Sequence, residues 1–343
     1  MAKNRSMTGL IAAGAAAGGA IMIARAILAG ERNYDFRGKV VLITGGSRGL
    51  GLVLARQLAS QGARIAICAR DAEELSIAES DIGAHGADVM AIPCDLAVRD
   101  DVQRMVSDVI SRFGQIDVLI NNAGTIAVGP IESMRLEDYH YSMDTIFWAA
   151  ANTAYYVVPH MQHRRTGRIV NIGSIGGKVG VPHLTPYCAA KFAVTGWSRA
   201  LRGELLKDGI VVTTISPGLM RTGSPRNAEF KGKNTAEYAW FKISDSLPVL
   251  SMSAEQAAHE IIEATRRGAV DVVLGMPAKV AVMFDQLFPG VSGDLSAMAG
   301  KLLPAMGGIG TEKRRGAESE SGASESVLTN LTDEAARRNN EVP

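Results

Sequence analysis

The sequence predicts an α/β fold, a doubly wound parallel sheet forming one domain with an extension at either end. Three observations lead there. From about Arg37 to Gly275, short β-branched runs alternate with longer stretches of helical spacing. Alternation at these lengths calls for right-handed crossovers and a sheet covered on both faces, and a mixed α+β domain would not repeat it so regularly. The first run ends in a glycine-rich turn, VVLITGGSRGLG, that leads straight into a helical pattern. The chain is also 47% hydrophobic and 21% charged, the balance of a globular protein with a sizeable core, which excludes wholesale disorder.

Strands are predicted at Val40–Ile43, Arg64–Cys68, Val89–Ile92, Val118–Ile120, Arg168–Ile172, Ile210–Ile215 and Asp271–Leu274. Between them, Leu50, Leu54 and Leu58, and then Val102, Met105, Val106 and Val109, recur at helical spacing and share one face of their helices. The glycines at 45, 46, 49 and 51 let the chain turn tightly, so that backbone can approach a pyrophosphate seated on the positive helix N-terminus. The second strand ends Cys68-Ala69-Arg70. An acid there would take a free ribose 2′-OH, whereas arginine suits a 2′-phosphate; Arg70, with Arg48 from the glycine loop, predicts NADP(H) over NAD(H). Asp71 is read as the cap of the next helix, with Glu74 closing a capping box.

Further along come Asn121-Asn122-Ala123-Gly124, Ser174, Tyr187-x-x-x-Lys191 and Pro217-Gly218. Together with Thr44-Gly45-x-x-x-Gly49-x-Gly51, these five motifs in this order resemble the short-chain dehydrogenase/reductase family over roughly residues 37 to 275. The extended, epimerase-like relatives are similar but space their glycines differently. The resemblance implies a Rossmann-type fold and hydride transfer between a nicotinamide and a carbonyl/alcohol pair.

Independently of the resemblance, Tyr187 and Lys191 stand four residues apart and share a helix face. A phenol ordinarily loses its proton near pH 10, and an adjacent ammonium favours the phenolate, which predicts a lowered Tyr187. The resemblance then implies that Tyr187 exchanges the proton, Lys191 also holds the nicotinamide ribose, and Ser174 orients the substrate. For the cofactor it implies contacts from Thr44, Gly45, Ser47, Arg48, Gly49, Leu50, Gly51, Arg70, Asp95, Leu96, Asn121, Ala123, Gly124, Pro217, Gly218 and Thr222. Asp95 resembles the adenine partner and Asn121, Ala123 and Gly124 the loop on the adenosine side. Asn121 as a plain turn residue and Thr222 as a helix cap stay open as alternatives.

One position departs from the family pattern. Counting forward from Gly124 and back from Ser174 puts Ile146 where the family usually keeps an Asn that helps hold a relay water near the lysine. Asn152, six residues on, lies off that helix face. A dinucleotide-binding sensor or scaffold with weakened catalysis is therefore the alternative to an enzyme. His183 and Leu184 are expected at the substrate pocket, and Phe230, Tyr238, Trp240 and Phe241 in a covering segment between Gly223 and Leu250. Their aromatic character points to an apolar carbonyl or alcohol substrate. Ser253 and Gln256 read as a capping box.

Net charge is +1, with 36 basic and 35 acidic residues, which argues against a nucleic-acid partner. Cys68, Cys94 and Cys188 are too scattered for a disulfide framework or a zinc cage and read as buried thiols. His160-x-x-His163 reads as a solvated helix terminus, so no metal is expected. A homo-oligomer is expected.

The ends are read from composition. Residues 6–24 carry no charge and lie between Lys3, Arg5 and Arg25, Arg32. As a helix they would span about 28 Å, near a hydrocarbon core of about 30 Å. Gly14-x-x-x-Gly18 suits close helix packing in a membrane. A membrane anchor with a cytoplasmic catalytic domain is the preferred reading of residues 1–36. A cleavable signal peptide ending at Ala24-Arg25-Ala26 and a helix packed on the domain are the others, and export would part the enzyme from the cytosolic nicotinamide pool. Residues 276–310 read as an apolar extension and 311–343 as a disordered polar tail.

Overall fold

The computed structural model describes residues 34–84, 86–322, 324 and 329–342. The N-terminal reading of residues 6–24 lies outside them. Among the described residues, no helix is long and apolar enough to cross a membrane.

All seven predicted strands form, most of them one or two residues longer than their β-branched runs. They are β1 (Val40–Thr44), β2 (Arg64–Ala69), β3 (Val89–Pro93), β4 (Val118–Asn121), β5 (Gly167–Ile172), β6 (Ile210–Pro217) and β7 (Asp271–Leu274). They make one parallel sheet in the order β7-β6-β5-β4-β1-β2-β3. Both faces are covered, so the strands are mostly apolar and the period of two sorts side chains between two cores. Val41, Ile43, Ile65 and Ile67 join one core with α1 (Gly49–Ser60), α2 (Ala72–Gly83) and α8 (Ala254–Arg266). Val40, Leu42, Ala66 and Leu119 join the other with α3 (Arg99–Phe113), α5 (Ala149–Arg164) and α6 (Thr185–Leu205). From β1 the chain winds outward through β2 and β3, then returns to β4 on the other side of β1. The crevice beyond the C-terminal ends of β1 and β4 is therefore the switch point where such folds bind ligands.

Between α4 (Leu136–Ser142) and α5 the helix widens into a π-turn, Met143–Trp148, that contains Ile146. Within residues 276–310 stand two helices in contact, α9 (Met276–Leu287) and α10 (Pro289–Gly300), followed by turns.

The polar tail departs from its composition. Arg314–Arg315 pairs antiparallel with Glu229–Phe230, and α11 (Asn330–Arg338) packs on α7 (Asn234–Ser246). Composition predicts disorder because little apolar area is available to offset the lost chain entropy. The tail instead supplies polar partners to a domain that needs them. Asp333 pairs with buried Lys242 at 2.8 Å, Thr332 hydrogen-bonds Ser246 at 2.6 Å, and Asn339 accepts from Arg56 at 3.2 Å. Small residues also let it come close: a Cβ on Gly223, whose φ is +95°, would lie 2.6 Å from the Ala336 backbone.

Candidate active site

A cleft of about 860 Å³ runs from the glycine loop across the switch point to α7. Its floor is built by the turn between β1 and α1. Gly49 has φ +55°, where only glycine sits without strain, and a Cβ on Gly51 would run into the Gly45 carbonyl. Gly45, Ser47, Arg48, Gly49 and Leu50 line the cleft as predicted. Thr44 and Gly51 do not. Thr44 is buried, and its hydroxyl accepts from the N–H groups of Asn122 (3.0 Å) and Ala123 (3.1 Å), tying the loop after β4 to the loop after β1.

Asn121 is likewise corrected. It points into the core and donates to Asn171 Oδ1 at 2.8 Å. Asn122, singled out only as part of a motif, lines the cleft and donates to the carbonyls of Thr44 (3.1 Å) and Gly45 (3.0 Å). Arg70, Asp95, Leu96, Ala123, Gly124, Pro217, Gly218 and Thr222 all reach the cleft.

The arginines meant for a 2′-phosphate have protein partners. Arg48 pairs with Glu74, whose other oxygen accepts from Ser47 Oγ at 3.0 Å. Arg70 lies exposed and hydrogen-bonds Tyr141. Asp71 does cap α2, accepting from Glu73 N (2.9 Å) and Glu74 N (3.0 Å). The expected box does not close, because the Glu74 carboxylate is turned towards Arg48 and Ser47. At α8, Ser253 accepts from Gln256 N while the Gln256 side chain goes to Glu260.

The C-terminal segment enters this end of the cleft, and nothing in its composition signals it. Asn339 O accepts from Gly49 N at 2.9 Å, and Asn340 Nδ2 donates to the carbonyls of Ser47 (3.0 Å) and Glu74 (3.2 Å). The Glu341 carboxyl stands over Gly49, 2.5 Å from where a Cβ would be, and accepts from Asn227 at 2.6 Å. Burial pushes it up to about 7 against the pull of Arg48. A carboxyl side chain thus occupies the spot where the second loop glycine lets a pyrophosphate approach. The glycine cradle leaves room for a phosphate, and a dinucleotide would meet Glu341 there.

At the other end, Ser174 follows β5, its hydroxyl accepts from Gly176 N at 3.0 Å, and it lies close enough to the Tyr187 phenol to favour the phenolate. Lys191 is buried and donates from Nζ to Ile172 O at 2.8 Å, with Nζ 5.7 Å from the Tyr187 ring centre. The expected lowering of Tyr187 is not met in this state. Loss of solvent raises it to about 12 despite Ser174, and the same loss brings Lys191 down to about 8. Ile146 is buried against Tyr187, Ala190 and Val194. Asn152 points away and donates to Leu96 O at 3.3 Å.

The aromatic segment divides. Phe230 and Tyr238 are core, stacked edge to face at 5.3 Å, whereas Trp240 and Phe241 line the cleft. Leu184 reaches the cleft but His183 does not: its ring pairs with buried Glu237 at 2.8 Å, and Glu237 also holds Trp240 Nε1 at 2.7 Å. Asp245, on the last turn of α7, also faces the cleft, and no sequence motif marks it.

Residues 39–231 match the family model described as short chain dehydrogenase. The Mycobacterium tuberculosis oxidoreductase SadH is 34% identical over 248 residues, covering 71% of this chain and 89% of that one. Dehydrogenase/reductase SDR family member 7B of Bos taurus is 34% identical over 262 residues, covering 74% and 79%. Among solved structures, a short-chain dehydrogenase from Streptomyces avermitilis aligns with a TM-score of 0.66 at 27% identity, covering 76% and 96%. A metagenomic short-chain oxidoreductase in complex with NADP aligns with a TM-score of 0.58 at 26% identity, covering 70% and 98%. With this sheet, this cleft and these relatives, the chain belongs to the short-chain dehydrogenase/reductase family of oxidoreductases.

Proposed function

We propose that the protein interconverts an apolar carbonyl compound and its alcohol, with Tyr187 as general acid and base and NADP(H) as the preferred cofactor. The observation that carries this reading is Ser174 and Tyr187 meeting in an aromatic-lined cleft, with the buried Lys191 Nζ 5.7 Å from the Tyr187 ring. When bound across the switch point, the dinucleotide supplies or accepts the hydride. Ser174 holds the substrate oxygen against Tyr187, and in reduction the phenol gives that oxygen its proton. The Lys191 ammonium and the Ser174 hydroxyl then stabilise the phenolate until solvent reprotonates it. The raised Tyr187 keeps the phenol protonated at neutral pH, which suits the reductive direction.

Arg70 and Arg48 at the rim favour a 2′-phosphate, and a likeness to an NADP complex accords with that preference. A dinucleotide-binding sensor or scaffold is the second reading, favoured by Ile146 beside the catalytic pair and Glu341 in the cradle. Turnover of a carbonyl and alcohol panel with each cofactor separates the two. An enzyme loses about 10²–10⁴-fold in kcat in Tyr187→Phe, the size of a general acid–base contribution, while its cofactor affinity stays within threefold. Binding of dinucleotide without turnover of any substrate would establish the sensor.

A further inference from the structure

The last turn of α7 brings four polar side chains together, and three of them have partners. Lys242 pairs with Asp333, Ser244 Oγ donates to Trp240 O at 2.8 Å, and Ser246 Oγ donates to Lys242 O at 2.7 Å. The fourth, Asp245, is 5% exposed and has no hydrogen-bond or ion-pair partner among the described residues. It faces the cleft beside Trp240, Phe241 and Tyr187. A carboxyl here is costly three times over: it is largely removed from water and reaches only the cleft, no described side chain or backbone donor meets it, and it sits at the negative end of a helix. Natural chains keep such a group where a ligand completes it.

We infer that Asp245 is a specificity residue that receives a hydroxyl group of the substrate, remote from the reacting carbonyl, so that the substrate class is an otherwise apolar hydroxy-carbonyl compound. This rests on the carbonyl/alcohol reading of the cleft and deepens it. A hydroxyl both donates and accepts, which matches a carboxyl in either protonation state. Burial holds the Asp245 carboxyl up to about 8, so near neutrality it is mostly the neutral acid that a hydroxyl complements. An ammonium would have to enter a cleft that already buries Lys191, where like charge and loss of water act against it together. Trp240 and Phe241 supply the apolar wall beside the carboxyl, and Glu237 fixes the Trp240 ring. The arrangement rejects a substrate that lacks the hydroxyl, since that substrate would leave the carboxyl buried without a partner.

The test uses ten-carbon ligands with one hydroxyl moved along the chain. Calorimetric binding of decanediols and of decanol to the full-length protein with saturating NADPH, a pair that cannot react, reads affinity without turnover. Reduction of hydroxy-decanones and of decanone reads selectivity. At least one hydroxyl position is expected to improve both Kd and kcat/KM by tenfold or more over the plain compound, chiefly through KM. In Asp245→Leu that ratio should collapse to within threefold, and in Asp245→Asn it should be largely kept. Asp245→Leu should also raise the Tm of the ligand-free protein, because it removes an unpartnered acid; a residue that merely holds the fold would lower it. Equal ratios in the parent and Asp245→Leu, absence of any hydroxyl preference, or a stronger preference for the amino analogues would each overturn the inference. Hydroxyl-selective binding without turnover would support it while removing the enzyme reading, so the two fail separately.

Discussion

The two ends of the cleft each hold a buried carboxyl, and they are provided for in opposite ways. At the glycine loop the charged groups and the N–H of Gly49 already have protein partners: Arg48 has Glu74, Gly49 N–H has Asn339 O, and Glu341 has Asn227. At α7, Asp245 has none. A dinucleotide must therefore displace contacts the chain makes with itself, whereas a substrate meets a group still waiting for one. The difference gives a rule for mutation. Removing a protein acid from the cofactor end should tighten binding, and removing the acid from the substrate end should weaken it.

The largest expected effect lies at the rim of the cofactor end. Arg70→Asp should lower the ratio of NADP+ to NAD+ affinity by about tenfold to hundredfold, the worth of one charge-assisted phosphate contact of about 1.5–3 kcal/mol. Glu74→Gln should move the ratio the other way by releasing Arg48 from its carboxylate. Fluorescence titration with each cofactor reads both. An unchanged ratio in both variants would mean that neither arginine meets the 2′-phosphate.

Next in size is Glu341. Glu341→Ala is expected to tighten NAD+ binding about tenfold, because the competent state no longer has to expel the carboxyl. Its pH dependence has a defined sign. The docked carboxyl is raised to about 7 from an ordinary value of 4.5, so the docked state holds the proton more tightly than the released one. Docking is thus strongest below about pH 4.5 and weakens as pH rises through 7. Parent affinity for NAD+, which lacks the 2′-phosphate and its titration, should improve between about pH 6 and 8, while that of Glu341→Ala stays flatter. Arg48, Glu74 and Arg226 surround the group and remain in both proteins, so the difference isolates Glu341. Equal affinities throughout would show that dinucleotide and C-terminal segment sit side by side.

The same contrast explains what could be read from the sequence. The sheet was legible because burial on both faces writes β-branched runs, and the glycine loop because a tight turn admits few residue types. Ser174, Tyr187 and Lys191 were legible because they lie on one strand end and one helix face. Asn121 and Asn122 are adjacent in sequence, but the alternation of strand side chains sends the first into the core and leaves the second at the cleft, which a motif does not distinguish. His183 was misplaced because its neighbour Glu237 comes from α7, fifty-four residues away. Glu341 and Asp245 left no local signal, since each matters through what is, or is not, brought against it from distant parts of the chain.

The smallest effect concerns the π-turn that borders the catalytic lysine. Ile146 lies in the π-turn, and a Cβ on Gly124 would sit 3.4 Å from its Cγ1 and 3.8 Å from Lys191 Nζ. Its side chain therefore borders the lysine without being able to hydrogen-bond a water there. Ile146→Asn is expected to raise kcat about threefold and to change the solvent isotope effect, with KM unaltered, if reprotonation of Tyr187 through Lys191 limits turnover. The cost comes from packing. Ile146 is 2% exposed against Ala190, Val194 and Tyr187, and an amide there loses about 1–3 kcal/mol where it finds no partner. That corresponds to a fall in Tm of roughly 2–4 °C for each kcal/mol in a domain of this size. Asn nevertheless belongs at a widened turn, because a π-turn leaves main-chain carbonyls free to share a water with a polar side chain. A folded variant with lowered Tm but unchanged kcat and isotope effect would show that those carbonyls already serve the lysine. The proton path would then be independent of residue 146, and the contrast between the two ends would rest on Glu341 and Asp245 alone.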